Sequence, residues 1–303
     1  MNPHTKLNTI FFRGVFATLL LASTLSVGCA EEFDPPSLID KARPLGAEVQ
    51  VEGDPTRSTP RSGETATVTW LMAAPAEMPT LAWMLAVCPS DTDPACAPAP
   101  LAIHEGTGTP SFRFTVPSPA LLGGATRLLI TGQVCADGTP SLDPQTGMPT
   151  CTGQGNTVTA TLFLQQTDPG NQIPALPSRP LWFDGAYWLA AGPQVDCAGL
   201  PSVALASKGH VLRLRALAED RETYVTSDTT AREELQLSQF TTAGELGQTY
   251  LVVESNNQEE SNDLESKWDA PETMTSDGRV HFIIVARDMR GGVSHTTRTV
   301  CLY

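Results

Sequence analysis

Positive charge is scarce in this sequence. Lys and Arg number 19 against 33 Asp and Glu, for a formal net charge of −14. A nucleic-acid binder needs a basic face, and electrostatic docking on anionic lipid needs basic clusters, so neither class fits. The usual catalytic signatures are missing too: H-E-x-x-H, G-x-S-x-G and the Walker loop do not occur. No C-x-x-C pair with nearby histidines offers a zinc framework. No pair of carboxylates stands out for glycoside hydrolysis. Beyond the first thirty residues no apolar run approaches the ~20 residues of a membrane-spanning helix. Helical i, i+3, i+4 patterning is almost absent, and residues 229–237 alone tolerate a short helix.

The amino terminus carries what the rest lacks. Lys6 and Arg13 are followed by the charge-free run Val15 to Val27, thirteen residues long. That length suits the apolar region of a secretory signal peptide. The run ends Leu25-Ser26-Val27-Gly28-Cys29, which resembles the lipobox of bacterial lipoproteins, with Ser26 departing from the leucine-like residue usual there. The resemblance implies a lipoprotein signal peptide over 1–28 and acylation of Cys29 as the first mature residue. Gly28-Cys29-Ala30 also suits ordinary cleavage after Ala30. Removing 1–28 deletes Lys6 and Arg13 and no acid, taking the chain from −14 to −16. Residues 29–44, acidic and proline-bearing, read as a tether. The expected location is exported and anchored through Cys29, in the periplasm or at the cell surface, with the outer membrane favoured.

Seven cysteines are present. Cys29 is accounted for by the lipobox, and an even set of six in an exported chain reads as disulfides. Six cysteines allow fifteen pairings. Spacing favours Cys88–Cys96 around a Pro/Asp loop, Cys135–Cys151 around a Gly/Pro-rich loop, and Cys197–Cys301 across the second half.

Period-2 alternation dominates from residue 45 onward. Ala66, Val68, Trp70 and Met72 share a face; so do Phe112, Phe114 and Val116, and Val158, Ala160, Leu162 and Leu164. Leu81 to Cys88 is apolar throughout and reads as a central strand buried on both faces. Residues 167–180 hold four prolines and no strand pattern, which predicts a semi-rigid linker. Beyond it Leu212, Leu214 and Ala216 alternate with Arg213 and Arg215. Val280, Phe282, Ile284 and Ala286 face inward on a strand that turns at Asp288 to Gly292 and returns over Ser294 to Cys301. A pairing of Arg287 with Ser294 puts His281 opposite Val300 and His295 opposite Ala286, at opposite ends of the hairpin.

That hairpin, with Ala286-Arg287-Asp288, Gly291-Gly292 and a Thr-rich return strand, resembles the last hairpin of bacterial immunoglobulin-like and polycystic-kidney-disease-like domains. Trp268 with Ala270-Pro271 is similar to the strand before it. The resemblance covers about 40 residues of the chain. It implies an all-β chain of two tandem antiparallel β-sandwich domains of immunoglobulin-like type, 45–166 and 181–303.

Two features invite a ligand. Trp182, Phe183, Tyr187 and Trp188 lie within eight residues, and such rings either stack on a sugar or fill a core. Residues 254–272 are the densest acidic run, which suits a solvated loop or a weak calcium site. No metal site is assigned and no cofactor is implied. The leading reading is a non-catalytic, lipid-anchored envelope protein with a structural or interaction role. Its partners are the membrane and an envelope protein or glycan. The alternatives are a carbohydrate-binding or adhesive surface protein using Trp182 to Trp188, and an envelope hydrolase.

Overall fold

The computed structural model describes residues 36–303 except 90–95, 97–99, 167, 177–178, 191–195 and 226–229. The expected signal segment 1–28, Cys29 and its neighbours to residue 35 lie outside the described residues. Pro35–Tyr303 forms one compact unit. Strand takes 51% of the described residues and helix 3%, so the expected all-β class holds. No helix among the described residues is long and apolar enough to cross a membrane.

In the first half, β1 (Arg43–Val51), β2 (Thr65–Ala73) and β5 (Ser111–Thr115) form an antiparallel sheet in the order β1-β2-β5. The facing sheet runs β4-β3-β6-β9, from β3 (Ala82–Cys88), β4 (Ala102–Thr107), β6 (Arg127–Cys135) and β9 (Gly155–Phe163). Its central strand β3 is buried along almost its whole length, as its unbroken apolar run requires. Inward Val68, Trp70, Phe114, Leu85, Ile130 and Leu162 from the two sheets share one apolar cluster. Gly132 on β6 permits this fit, because a Cβ there would lie 2.1 Å from the Met84 carbonyl oxygen. The short strands β7 (Pro140–Leu142) and β8 (Pro149–Cys151) make a side hairpin.

The second half repeats the two-layer plan. One sheet runs β11-β10-β13-β19-β17, from β10 (Leu181–Phe183), β11 (Ala186–Trp188), β13 (His210–Leu217), β17 (Glu245–Leu246) and β19 (Ser261–Asp269). The other runs β12-β21-β20-β16-β18, from β12 (Ser202–Val203), β16 (Leu235–Thr241), β18 (Tyr250–Val253), β20 (Arg279–Arg287) and β21 (Val293–Leu302). Pairing is antiparallel except for β12 with β21, which is parallel. Leu212, Leu214, Trp188, Trp268, Phe282 and Val300 meet in the second cluster.

The three expected disulfides are present. Cys88 ends β3, and Cys135 and Cys151 end β6 and β8. Cys197 lies in the turn before β12, whose Ser202 is the register partner of Cys301. That bridge therefore closes the parallel edge of a sheet.

Several expectations need correction. Residues 230–237 are not helical: Thr230–Arg232 pairs with Thr223–Val225, and β16 begins at Leu235. Leu235, Leu237 and Gln239 are buried with period 2, so tertiary burial overrides a short ambiguous pattern. The acidic run is not a loop throughout, because 261–269 is strand β19, with its acids on the outward face. In the terminal hairpin Arg287 pairs with Val293, one residue short of the expected register. His281 thus faces Thr299 and His295 faces Val285. The cause is the turn: Asp288 Oδ1 accepts from the amides of Arg290 (2.8 Å) and Gly292 (2.9 Å), closing a tighter loop with Met289 and Gly291 at φ of 62° and 109°.

The two halves also touch. Ile39, Leu45 and Ala73 share a cluster with Val285, so the last part of the expected tether is packed rather than free. Within the expected linker, Asn171 is buried and donates to Asp288 Oδ2 at 2.7 Å. Beside it Glu233 is 2% exposed and accepts from Arg290 Nη1 (2.6 Å) and the Glu222 amide (3.1 Å). Burial, reinforced by the Asp288 carboxylate, pushes Glu233 up to about 8; Arg290 opposes the shift. Burial also raises Asp288. A carboxyl raised in the folded state favours folding fully below its unfolded value and loses that contribution as pH rises through its folded value. Thermal stability should therefore fall between about pH 5 and pH 8, by at most ~1.4 kcal/mol per pH unit for one proton. Melting scans across this range test it: Glu233→Gln should flatten the slope, and an equally steep slope in the variant would refute the assignment.

Candidate functional site

Strands β10 and β11 form a hairpin around Asp184-Gly185, which adopt φ of 49° and 80°. Alternation across this hairpin divides the four aromatic residues. Phe183 and Trp188 point inward and are buried, their rings 5.1 Å apart. Trp188 Nε1 donates to the Thr299 carbonyl (3.0 Å), which satisfies the one polar atom of a fully buried ring. Trp182 and Tyr187 are direct cross-strand partners on the opposite, outward face. Tyr187 is 60% exposed. The four rings therefore do not form one strip, and only Trp182 and Tyr187 remain available to a ligand.

Strand pairing extends that outward pair. Tyr187, Trp182, Arg213 and Glu265 are successive partners across β11, β10, β13 and β19. The guanidinium carbons of Arg213 and Arg215 lie 4.9 and 5.9 Å from the Trp182 ring centroid. Arg215 makes two bonds to Asp263, of 2.7 and 3.0 Å. That pairing raises the Arg215 pKa and holds Asp263 below the usual carboxylate range. The result is an outward face that combines aromatic surface with guanidinium donors held by cross-strand contacts. Such a face can stack on a ring or sugar and bond its hydroxyl or carboxylate groups.

One arrangement was invisible in the sequence. Ser207 Oγ lies 2.8 Å from His210 Nε2, and His210 Nδ1 lies 2.7 Å from Asp184 Oδ2. This order of groups is that of a Ser-His-Asp hydrolase, in which the serine proton must pass to the histidine. Here the Ser207 hydroxyl donates to the Ala204 carbonyl within the turn, at 2.6 Å. The nearby Gly209 amide is taken by Asp269 Oδ1 (2.7 Å), and Asp184 Oδ1 accepts from the Val211 amide (2.8 Å). The His210 ring stacks on Phe183, with centroids 5.4 Å apart. Each group is bonded to the local backbone or core, so the line clamps the 204–210 turn onto the turn between β10 and β11. The partners are 26 residues apart, and no local signal could have joined them.

No three His, Cys, Asp or Glu side chains among the described residues converge as a metal site, and the acidic run supplies none. His281 bonds Thr299 Oγ1 (3.0 Å), and His295 Nδ1 lies 4.0 Å from Glu48. Cys29, the expected lipidation residue, lies outside the described residues. No protein-family model matches this chain, and no curated protein matches it.

Proposed function

We propose that the chain is an exported, lipid-anchored envelope protein with a non-catalytic structural or interaction role. In this reading it carries two tandem immunoglobulin-like β-sandwiches, 45–166 and 181–303, at the periplasmic or outer surface of the outer membrane. The supporting observation is the cysteine pairing. All six cysteines after residue 29 are taken up in three disulfides, which suits an oxidising compartment and leaves Cys29 as the one thiol for another fate. Acyl chains contribute ~0.8 kcal/mol per buried CH₂, and stable attachment takes more than one. Cys29→Ala should move the protein from the membrane to the soluble fraction and abolish labelling by a radioactive fatty acid. Unchanged labelling would refute the anchor.

The outward Trp182 and Tyr187 support a second reading, recognition of carbohydrate. Trp182→Ala and Tyr187→Ala should each weaken binding on a glycan array by about tenfold, the scale of one lost aromatic stacking contact. Array binding that survives both changes would dismiss this reading.

A further inference from the structure

A second concave site lies away from the aromatic face. It has a volume of about 540 Å³, within the usual ~300–1,000 Å³ of ligand sites. Two runs of consecutive residues border it: 44–47 of β1 and 157–161 of β9. Each strand is the outermost of its sheet. Consecutive residues border a space only when the edge of a strand, rather than one face, is turned to it. Among the described residues, 157–161 make no backbone bond outside their ladder with β6. The β9 wall of the cleft thus presents unused main-chain donors and acceptors, the template for an added strand. Trp70, Phe163 and Met289 also line the cleft. Trp70 is 2% exposed, so it offers no platform to a sugar.

Charge narrows the ligand. Arg287 is the one charged residue lining the cleft. Its side chain donates to Ser238 Oγ (2.8 Å) and the Leu45 carbonyl, and no carboxylate among the described residues pairs with it. Its guanidinium is desolvated, and that burial lowers its pKa. A desolvated cation held by two neutral acceptors gains most from an incoming anion.

We propose that this cleft binds an extended polypeptide segment of a partner protein, which pairs with the free edge of β9 and sets a carboxylate against Arg287. Neither the outer aromatic face nor the anchor enters this assignment, so it stands or falls separately from the proposed function.

The test is fluorescence anisotropy on the disulfide-bonded 36–303 unit with a labelled Val-Thr-Val-Asp-Val-Thr peptide. Saturable binding is expected. It should weaken by about tenfold when the peptide's Asp is replaced by Asn, the scale of one charge-assisted bond. Arg287→Met should remove the difference between the two peptides. Because that variant also loses bonds to Leu45 and Ser238, Thr159→Trp at an exposed β9 position serves as a second probe; it should fold normally and block both peptides. N-methylation of alternate peptide amides should abolish binding by removing donors to the edge. No saturable binding, or binding undiminished in Thr159→Trp, would overturn the proposal. A concentration-dependent dimer lost in Thr159→Trp would identify a second copy as the occupant and would equally overturn the assignment to a partner.

Discussion

Truncating Trp268 to alanine is expected to cost about 3–5 kcal/mol of folding stability, the range for a buried large aromatic. The ring is fully buried and meets Phe282 edge-on at 5.1 Å between centroids. Its Nε1 donates to the Ala243 carbonyl at 3.1 Å, a bond the truncation would orphan. The neighbouring Gly244, at φ of 77°, lies so close that a Cβ there would stand 2.5 Å from Trp268 Nε1, so the surrounding loop is shaped to this ring. Against a total of ~5–15 kcal/mol for a domain, the loss should bring the urea midpoint down steeply. Trp268→Phe, which keeps most of the ring contact, should lose much less. A change under about 1 kcal/mol for the alanine variant would contradict the packing described.

Removing the Cys197–Cys301 bridge is expected to rank next. Its sequence separation of 104 closes the longest loop of the three, for an upper-side ~4.7 kcal/mol on the chain-entropy account. The separations of 8 and 16 for the other two bridges give about 2.6 and 3 kcal/mol. The Cys197→Ser, Cys301→Ser double variant should melt roughly 10 °C lower, at about 2–4 °C per kcal/mol. A proline-rich spacer between independent cores would leave the first half untouched. The shared cluster of Leu45, Ala73 and Val285, with the Asn171–Asp288 bond, leads to the opposite expectation. Amides of β3 and β6 should lose protection from hydrogen exchange together with those of β20. Protection of β3 unchanged at the lowered melting point would show that the junction does not couple the halves.

What was legible in the sequence follows from where the information lies. Strands such as β2, β5 and β9 bury one face and expose the other, so alternation reports them directly. The disulfides were legible because two of them close short turn-rich loops and the third takes what remains. The hairpin register was missed by one because the Asp288 side chain, rather than the glycine pair, decides how tightly the turn closes. The acidic run hid β19 because its charges occupy only alternate positions and are matched by a strand some fifty residues earlier: Asp263 by Arg215 at a separation of 48. The sequence reading left the aromatic cluster open between core and surface; the structure divides it, since Trp182 and Phe183 are adjacent on a strand and must point apart. The edge cleft had no signal at all. Its walls are 44–47 and 157–161, and what singles out 157–161 is the lack of main-chain partners beyond the β6 ladder, which no side chain encodes.

Non-reducing peptide mapping by mass spectrometry, on full-length protein taken from a bacterial membrane fraction, tests the central claim most directly. The account predicts an acylated amino-terminal peptide beginning at Cys29, together with linked peptides for Cys88–Cys96, Cys135–Cys151 and Cys197–Cys301. An unmodified Cys29 with cleavage elsewhere, or free thiols among the six downstream cysteines, would contradict an exported, anchored and oxidised protein.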